Sequence, residues 1–171
     1  TFASYSFVNY KDDDGTFKSV PGFKYSIDLD KVSGKWQYGL TRMVESKTFQ
    51  VNDLGYLQAA NEVSHAGYFR YNLLKPYRMF NRFNSSVSFF HDRLYDPSVF
   101  SRLNVSMSSY AQFKNFWGLG INYSTSPVTG NDYFEPRNDG YYFSVAPSNS
   151  YSVSLESDGR KSLKGNLYTG R

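Results

Sequence analysis

His65 and His91 are the only histidines in the sequence, and Asp92 follows His91 directly. An imidazole beside a carboxylate is the minimum for a proton relay, and two imidazoles are half of a metal site. Neither histidine has a second at metal-ligand spacing, so a pair on a strand rim accounts for them better. Asp12-Asp13-Asp14-Gly15 resembles the opening of a calcium loop but lacks its regular ligand spacing and closing Glu, and it reads as a solvated turn. Asp132 and Glu135 supply the two carboxylates that glycoside hydrolysis needs at a defined separation. A long loop leaves that separation open, and Arg137 stands close enough in sequence to pair with one of them. Serine is abundant, yet no nucleophile elbow occurs. The absence of cysteine excludes a disulfide framework and a thiolate metal centre. No residue is therefore assigned to catalysis or to a metal, and no cofactor is expected.

The surroundings of these residues are more informative than the residues themselves. The chain has 15 Phe, 16 Tyr and 2 Trp, yet its mean hydropathy is −0.56, with Ser and Asn filling much of the remainder. Many aromatics among small polar residues suit strands with one wet and one apolar face, and suit helical bundles poorly. The net charge of +4 is spread along the chain without a dense basic run, so a nucleic-acid partner is not expected. No apolar run reaches the roughly 18 residues of a transmembrane helix. A β-barrel is not excluded, because each barrel strand carries only a weak alternating signal.

That alternation is what the chain shows. Between Phe100 and Phe113, Leu103, Val105, Met107, Ala111 and Phe113 share one parity, while Arg102, Asn104, Ser106, Ser108 and Gln112 share the other. A period of two sends successive side chains to opposite faces of a strand, whereas a helix would mix the two sets. The same split sets Leu119 and Ile121 against Asn122, Phe83, Val87 and Phe89 against Arg82 and Asn84, and Phe69 and Tyr71 against Arg70 and Asn72. About ten strands follow, near 2–10, 22–30, 35–44, 62–73, 79–92, 98–113, 116–125, 140–146, 150–157 and 160–170. Several exceed the usual length in soluble sheets and match the 9–11 or so residues of a tilted membrane strand.

The connections alternate in length along most of the chain. Residues 31–34, 75–78, 114–115 and 147–149 make short turns, while 10–21, 45–61 and 126–139 make long loops; 91–97 is intermediate, and the tight 157–159 breaks the pattern. In an up-and-down barrel, every other connection lies on the same side of the membrane, with short turns on one side and long loops on the other. Phe80, Phe100, Phe113, Phe116, Trp117, Tyr141 and Tyr142 fall near strand ends, where an interfacial girdle would sit. High β-propensity alone also accounts for them.

Three segments carry a family resemblance. Val51-Asn52-Asp53-Leu54-Gly55-Tyr56-Leu57-Gln58-Ala59-Ala60-Asn61, followed by the aromatic run Gly67 to Asn72, resembles the Asn-Asp-x-Gly-Phe-Leu-x-x-x-Asn signature of a Bacteroidota family. Glu135-Pro136-Arg137-Asn138-Asp139-Gly140 resembles its acidic-Pro-Arg stretch. Ser157-Asp158-Gly159-Arg160-Lys161 resembles its Thr-Asp-x-Arg-Lys turn. Gln58 and Ala59 depart from the charged residues expected there. In that family a domain of uncharacterised function, thought to be an outer-membrane barrel, follows a family-nine-type carbohydrate-binding module. The resemblance singles out Asn52, Asp53, Gly55, Glu135, Arg137 and Arg160, and lends no catalytic residue.

The expectation is an all-β, antiparallel, up-and-down transmembrane β-barrel, of which residues 1–171 are one segment of a longer chain; it opens at Thr1 and ends within a strand-like pattern. Arg70, Asn72, Arg82, Asn84, Arg102, Asn104, Gln112 and Asn122 would face a polar lumen. Phe69, Tyr71, Phe83, Val87, Phe89, Leu103, Val105, Met107, Leu119 and Ile121 would face lipid. The protein would serve in a bacterial outer membrane as a passage or scaffold associated with glycan handling. Its partners would be membrane lipid, a glycan and other outer-membrane proteins. A soluble all-β carbohydrate-binding domain and a glycan hydrolase are the alternatives.

Overall fold

The computed structural model of the protein describes residues 1–11, 13, 15–49, 60–136, 138 and 140–171. It is built from β1 (Phe2–Lys11), β2 (Phe17–Lys31), β3 (Trp36–Glu45), β4 (Glu62–Asn72), β5 (Phe80–Leu94), β6 (Phe100–Phe113), β7 (Gly118–Ser126), β8 (Gly130–Asp132), β9 (Phe143–Val145), β10 (Ser148–Glu156) and β11 (Asn166–Gly170), with no helix among the described residues. Nine of these strands form one antiparallel sheet in the order β1-β2-β3-β4-β5-β6-β7-β10-β11, and β8 pairs with β9 apart from it. Each strand of the large sheet lies beside its neighbour in that order, which is the topology that alternating strands and local turns favour.

The sheet is open. β1 pairs with β2 alone and β11 with β10 alone, so the two edges do not meet and the described strands do not close a barrel. Closure would require the edge strands to meet at a matched tilt and stagger. β11 offers only five residues for such a seam.

Three boundaries differ from the sequence expectation, each for a local reason. The strand expected over 140–146 shrinks to β9 and leaves the main sheet. Tyr141, Tyr142 and Phe143 are consecutive aromatics and cannot divide between a polar and an apolar face. The strand expected over 160–170 begins only at Asn166, because Asp158 draws the Arg160 N–H into a turn at 3.0 Å. The long loop expected over 10–21 is mostly ladder, with ten pairs running from Phe2↔Ser26 to Lys11↔Phe17. Pro21 is tolerated there because pairing of β2 with β3 starts only at Lys24.

The two longest connections still share one end of the sheet. The extended connections 46–61 and 127–147 emerge at one end of the sheet together with 12–16 and 95–99. Residues 32–35, 73–79, 114–117 and 157–165 link strands at the other end. These are called below the long-loop end and the short-turn end. The strict alternation of lengths is lost: 12–16 and 95–99 at the long-loop end are shorter than 73–79 and 157–165 at the other, and the turn expected at 147–149 falls at the long-loop end, between β9 and β10.

Elements of the large sheet pack on their sheet neighbours, and β8 rests against β6. Among the described residues the buried apolar ones are Val44, Phe49, Val63, Leu94 and Ala111. At the long-loop end, the start of loop 46–61 straps across β2: Ser46 N–H donates to Phe23 O at 2.9 Å, and Thr48 Oγ1 to Pro21 O at 2.6 Å. Gly22 permits the crossing, since a Cβ there would lie 2.4 Å from Phe49 Cα.

Candidate functional site

Directly opposed residues in a sheet project from the same face, so the register sorts every strand into two surfaces. Arg70 faces Ser86, Asn72 faces Asn84, Arg82 faces Gln112, Ser108 faces Asn122 and Asp92 faces Arg102. Arg70, Asn72, Arg82, Asn84, Arg102, Asn104, Gln112 and Asn122 therefore share one face, as their parity predicts. Tyr38–Phe69–Val87–Met107–Tyr123–Tyr151 is a single row on the other. Phe83–Ala111–Leu119–Leu155–Leu167 is a second row. Tyr71, Phe89, Leu103, Val105 and Ile121 belong to the same surface. Between β5 and β6 the register runs unbroken from Arg82↔Gln112 to Asp92↔Arg102, and a single-residue shift at each end sets Phe80 opposite Phe113 and Arg93 opposite Phe100.

The polar face is a hydrogen-bonded lattice of short side chains. Asn104 donates to Ser124 at 3.2 Å, Ser106 to Asn104 at 3.0 Å, Ser108 to Asn122 at 2.8 Å and Asn122 to Ser152 at 3.2 Å. This ladder joins β6, β7 and β10. Hollows lie along the face: one of about 470 Å³ lined by Ser86, Ser88, Ser106, Ser108, Asn122 and Ser152, and one of about 700 Å³ lined by Thr41, Tyr68, Ser88, Phe90, Arg102 and Asn104. The ring of Tyr68 lies over Gly39, where a Cβ would come within 2.4 Å of it.

At the long-loop end this face becomes ionic. Lys24 pairs with Glu45, Ser64 Oγ donates to Glu62 at 2.6 Å, and Arg102 donates to Asp92 Oδ2 from Nε at 2.8 Å and from Nη2 at 2.5 Å. Asp92 is 2% exposed, and no donor among the described residues reaches its Oδ1. Arg102 also lies over the Phe90 ring, 5.4 Å from its centroid. The β8–β9 hairpin adjoins this region, with Ser101 Oγ donating to Asn131 O at 3.0 Å. A cavity of about 450 Å³ lies between them, lined by Glu62, Asp92, Arg102, Asn131, Asp132 and Glu135, among others.

Asp132 and Glu135 both line this cavity. Asp132 Oδ1 accepts the N–H of Phe134 at 2.9 Å and that of Glu135 at 3.1 Å, so this carboxylate shapes the loop. Of the family-like residues, Asn52, Asp53, Gly55 and Arg137 lie outside the described residues, as does part of the Asp12–Gly15 run. Arg160 has a defined task at the short-turn end. Its Nε and Nη2 donate to the two oxygens of Asp158 at 2.9 and 2.8 Å, and its guanidinium covers the ring of Phe116 in the neighbouring turn. Arg160 holds the Asp158 carboxyl down to about 2 from its ordinary value of 3.8. The last residue of the long motif, Asn61, clasps the adjacent 95–99 turn: its Nδ2 donates to Asp96 O and its Oδ1 accepts Asp96 N–H, both at 2.8 Å.

The apolar face lies open. Phe69 is 51% exposed, Leu40 56% and Ile121 41%. Toward the short-turn end, Trp36, Tyr71, Phe83, Phe80 and Phe113 touch in succession at centroid distances of 4.4 to 6.0 Å. Phe23, Tyr25 and Tyr95 cluster at the long-loop end. Phe80, Phe100 and Phe113 thus occupy the expected strand-end positions. Phe116 and Trp117 lie in the β6–β7 turn, while Tyr142 leaves the sheet and packs on Tyr133.

The sequence pattern did not bring His65 and His91 together, yet the register makes them direct partners, with ring centroids 5.8 Å apart on the apolar face. Arg42 faces His65 from β3. Asp92 points to the opposite face, which removes the His91–Asp92 relay. Among the described residues no set of three metal-ligating side chains gathers.

No curated protein and no solved structure matches the chain. The family described as Domain of unknown function (DUF5916) matches residues 1–170, across every strand described above, and the chain belongs to that family.

Proposed function

We propose that the chain forms part of a β-barrel in a bacterial outer membrane, with its apolar face toward lipid and its polar face toward a hydrated lumen, serving as a passage or scaffold in glycan handling. The observation that carries this reading is the uncovered apolar face of a nine-stranded single layer. A soluble sheet buries its apolar face under a second layer, and exposed apolar patches of this extent mark membrane or partner surfaces. From Trp36 to Val44, β3 covers about 26 Å at ~3.3 Å per residue. A tilt of ~40° leaves roughly 20 Å of height, near the ~25 Å apolar band of membrane barrels. Aromatic clusters at both ends support the same placement. In this reading the unpaired edges of β1 and β11 meet further strands.

The association with glycans follows the loop and turn motifs. Hydroxyls and amides along the polar face, beside Tyr68 and Phe90, are groups that hydrogen-bond and stack a sugar. Detergent dependence tests the membrane placement. The folded chain is expected to need detergent or lipid and to migrate faster on a gel before boiling than after. A monomer that stays folded in plain buffer refutes it. For the passage, changing Arg82 and Arg102 together to Glu should alter conductance and ion selectivity in a planar bilayer; unaltered conductance removes the lumen from those positions.

A further inference from the structure

We infer that Arg42, His65, His91 and Arg93 form a binding site for the phosphate of an anionic membrane lipid. Ile27–Arg42–His65–His91–Leu103 is one cross-strand row on the apolar face, and Arg93, opposite Val63, projects from the same face two residues further along β5. Four basic side chains thus converge on a surface whose next row toward the sheet centre is Leu29, Leu40, Gly67, Phe89 and Val105. Arg42 opposes His65 and Arg93 follows His91 on the same face, and two guanidiniums charged at any working pH call for an anion.

The protein supplies none on this face among the described residues. Glu45, Glu62 and Asp92 lie on these same strands but project from the polar side, where Lys24, Ser64 and Arg102 engage them. Arg93 Nε is buried and has no hydrogen-bond partner among the described residues. A guanidinium offers planar paired donors that match a phosphate. The row also borders aromatic residues at the long-loop end, with the Phe100 ring 5.8 Å from His91. The cluster therefore occupies the seam between apolar side chains that suit acyl tails and the level where headgroups begin. A lipid satisfies both halves of that surface at once, and free phosphate satisfies only one.

This inference rests on the membrane placement proposed above, and one experiment separates the two. The full-length chain is refolded into vesicles of phosphatidylcholine, and of an equal mixture with phosphatidylglycerol, and insertion is read by flotation. Selectivity of the protein's lipid shell is then read with spin-labelled forms of both lipids. The unaltered chain is expected to select phosphatidylglycerol, by on the order of fivefold per engaged cation. R42Q/R93Q should lose the selection and R42K/R93K should retain most of it. R70Q/R82Q, which removes the same charge from the other face, should leave it unchanged. No selection by the unaltered chain, or equal loss in R70Q/R82Q, overturns the site. Abolition of the selection by inorganic phosphate would reduce it to a free-anion site and likewise overturn it. A chain that floats without lipid selection refutes the site alone; a chain that floats with neither vesicle refutes the membrane placement and the site with it.

Discussion

Toward the long-loop end, β3, β4 and β5 carry charge on both faces and treat it in opposite ways. On the polar face, Glu45, Glu62 and Asp92 each meet a cation or a hydroxyl within the sheet. On the apolar face, Arg42, His65, His91 and Arg93 meet no carboxylate among the described residues. The strands, the height and the backbone are the same, so local propensity does not explain the contrast. It follows from what each face meets. At this end the polar face engages its carboxylates within the sheet, and the apolar face holds Arg42 and Arg93 without a carboxylate among the described residues.

The sharpest break of this contrast uses neighbouring residues on β6. On the proposed placement, Met107→Arg puts a charge against hydrocarbon and should cost ~2–4 kcal/mol of folding stability in vesicles. Ser108→Arg, one residue away on the polar face, should cost less than about 1 kcal/mol. Urea unfolding of the lipid-refolded chain measures both, and equal costs would erase the distinction between the faces.

A smaller effect is expected from cutting the charges themselves. Arg102→Ala leaves Asp92 buried without its donor and should cost about 1–3 kcal/mol. Arg42→Ala removes a cation that no carboxylate among the described residues engages, and should stay within about 0.5 kcal/mol in phosphatidylcholine vesicles. A larger loss for Arg42 than for Arg102 would reverse the assignment of internal and external charge.

The smallest effect supplies the baseline, at an ion pair in a turn that belongs to neither face. The folded-state value of Asp158 lies below its unfolded value, so its contribution is fully present above about 3.8 and is lost as pH falls through about 2. Carboxyl carbon shifts followed by NMR should show that low midpoint in the unaltered chain and a rise toward 3.8 in Arg160→Gln. An unshifted midpoint in Arg160→Gln would show that Arg160 does not hold this carboxylate.

Much of the architecture was legible because a period of two needs no tertiary information. Leu103, Val105 and Met107 set against Arg102, Asn104 and Ser106 define a two-faced strand wherever it pairs, and the register kept every such residue on its expected side. Failures occurred where the pattern was interrupted: three successive aromatics at 141–143, and the Asp158–Arg160 turn that delays β11. The His65–His91 pair and the clasp of Asn61 on Asp96 were not legible. Both depend on which residue of one strand or loop meets which residue of the next.

The order of residues alone therefore determined two chemically distinct faces, antiparallel pairing through local turns, and the long connection after β3. These are nearest-neighbour consequences of side-chain alternation and turn length. Tertiary structure alone decided that the sheet's edges stay apart, that no second layer among the described residues covers the apolar face, and that four basic side chains gather on it. Each of those depends on register accumulated across several strands, and one strand cannot encode its alignment with another three strands away.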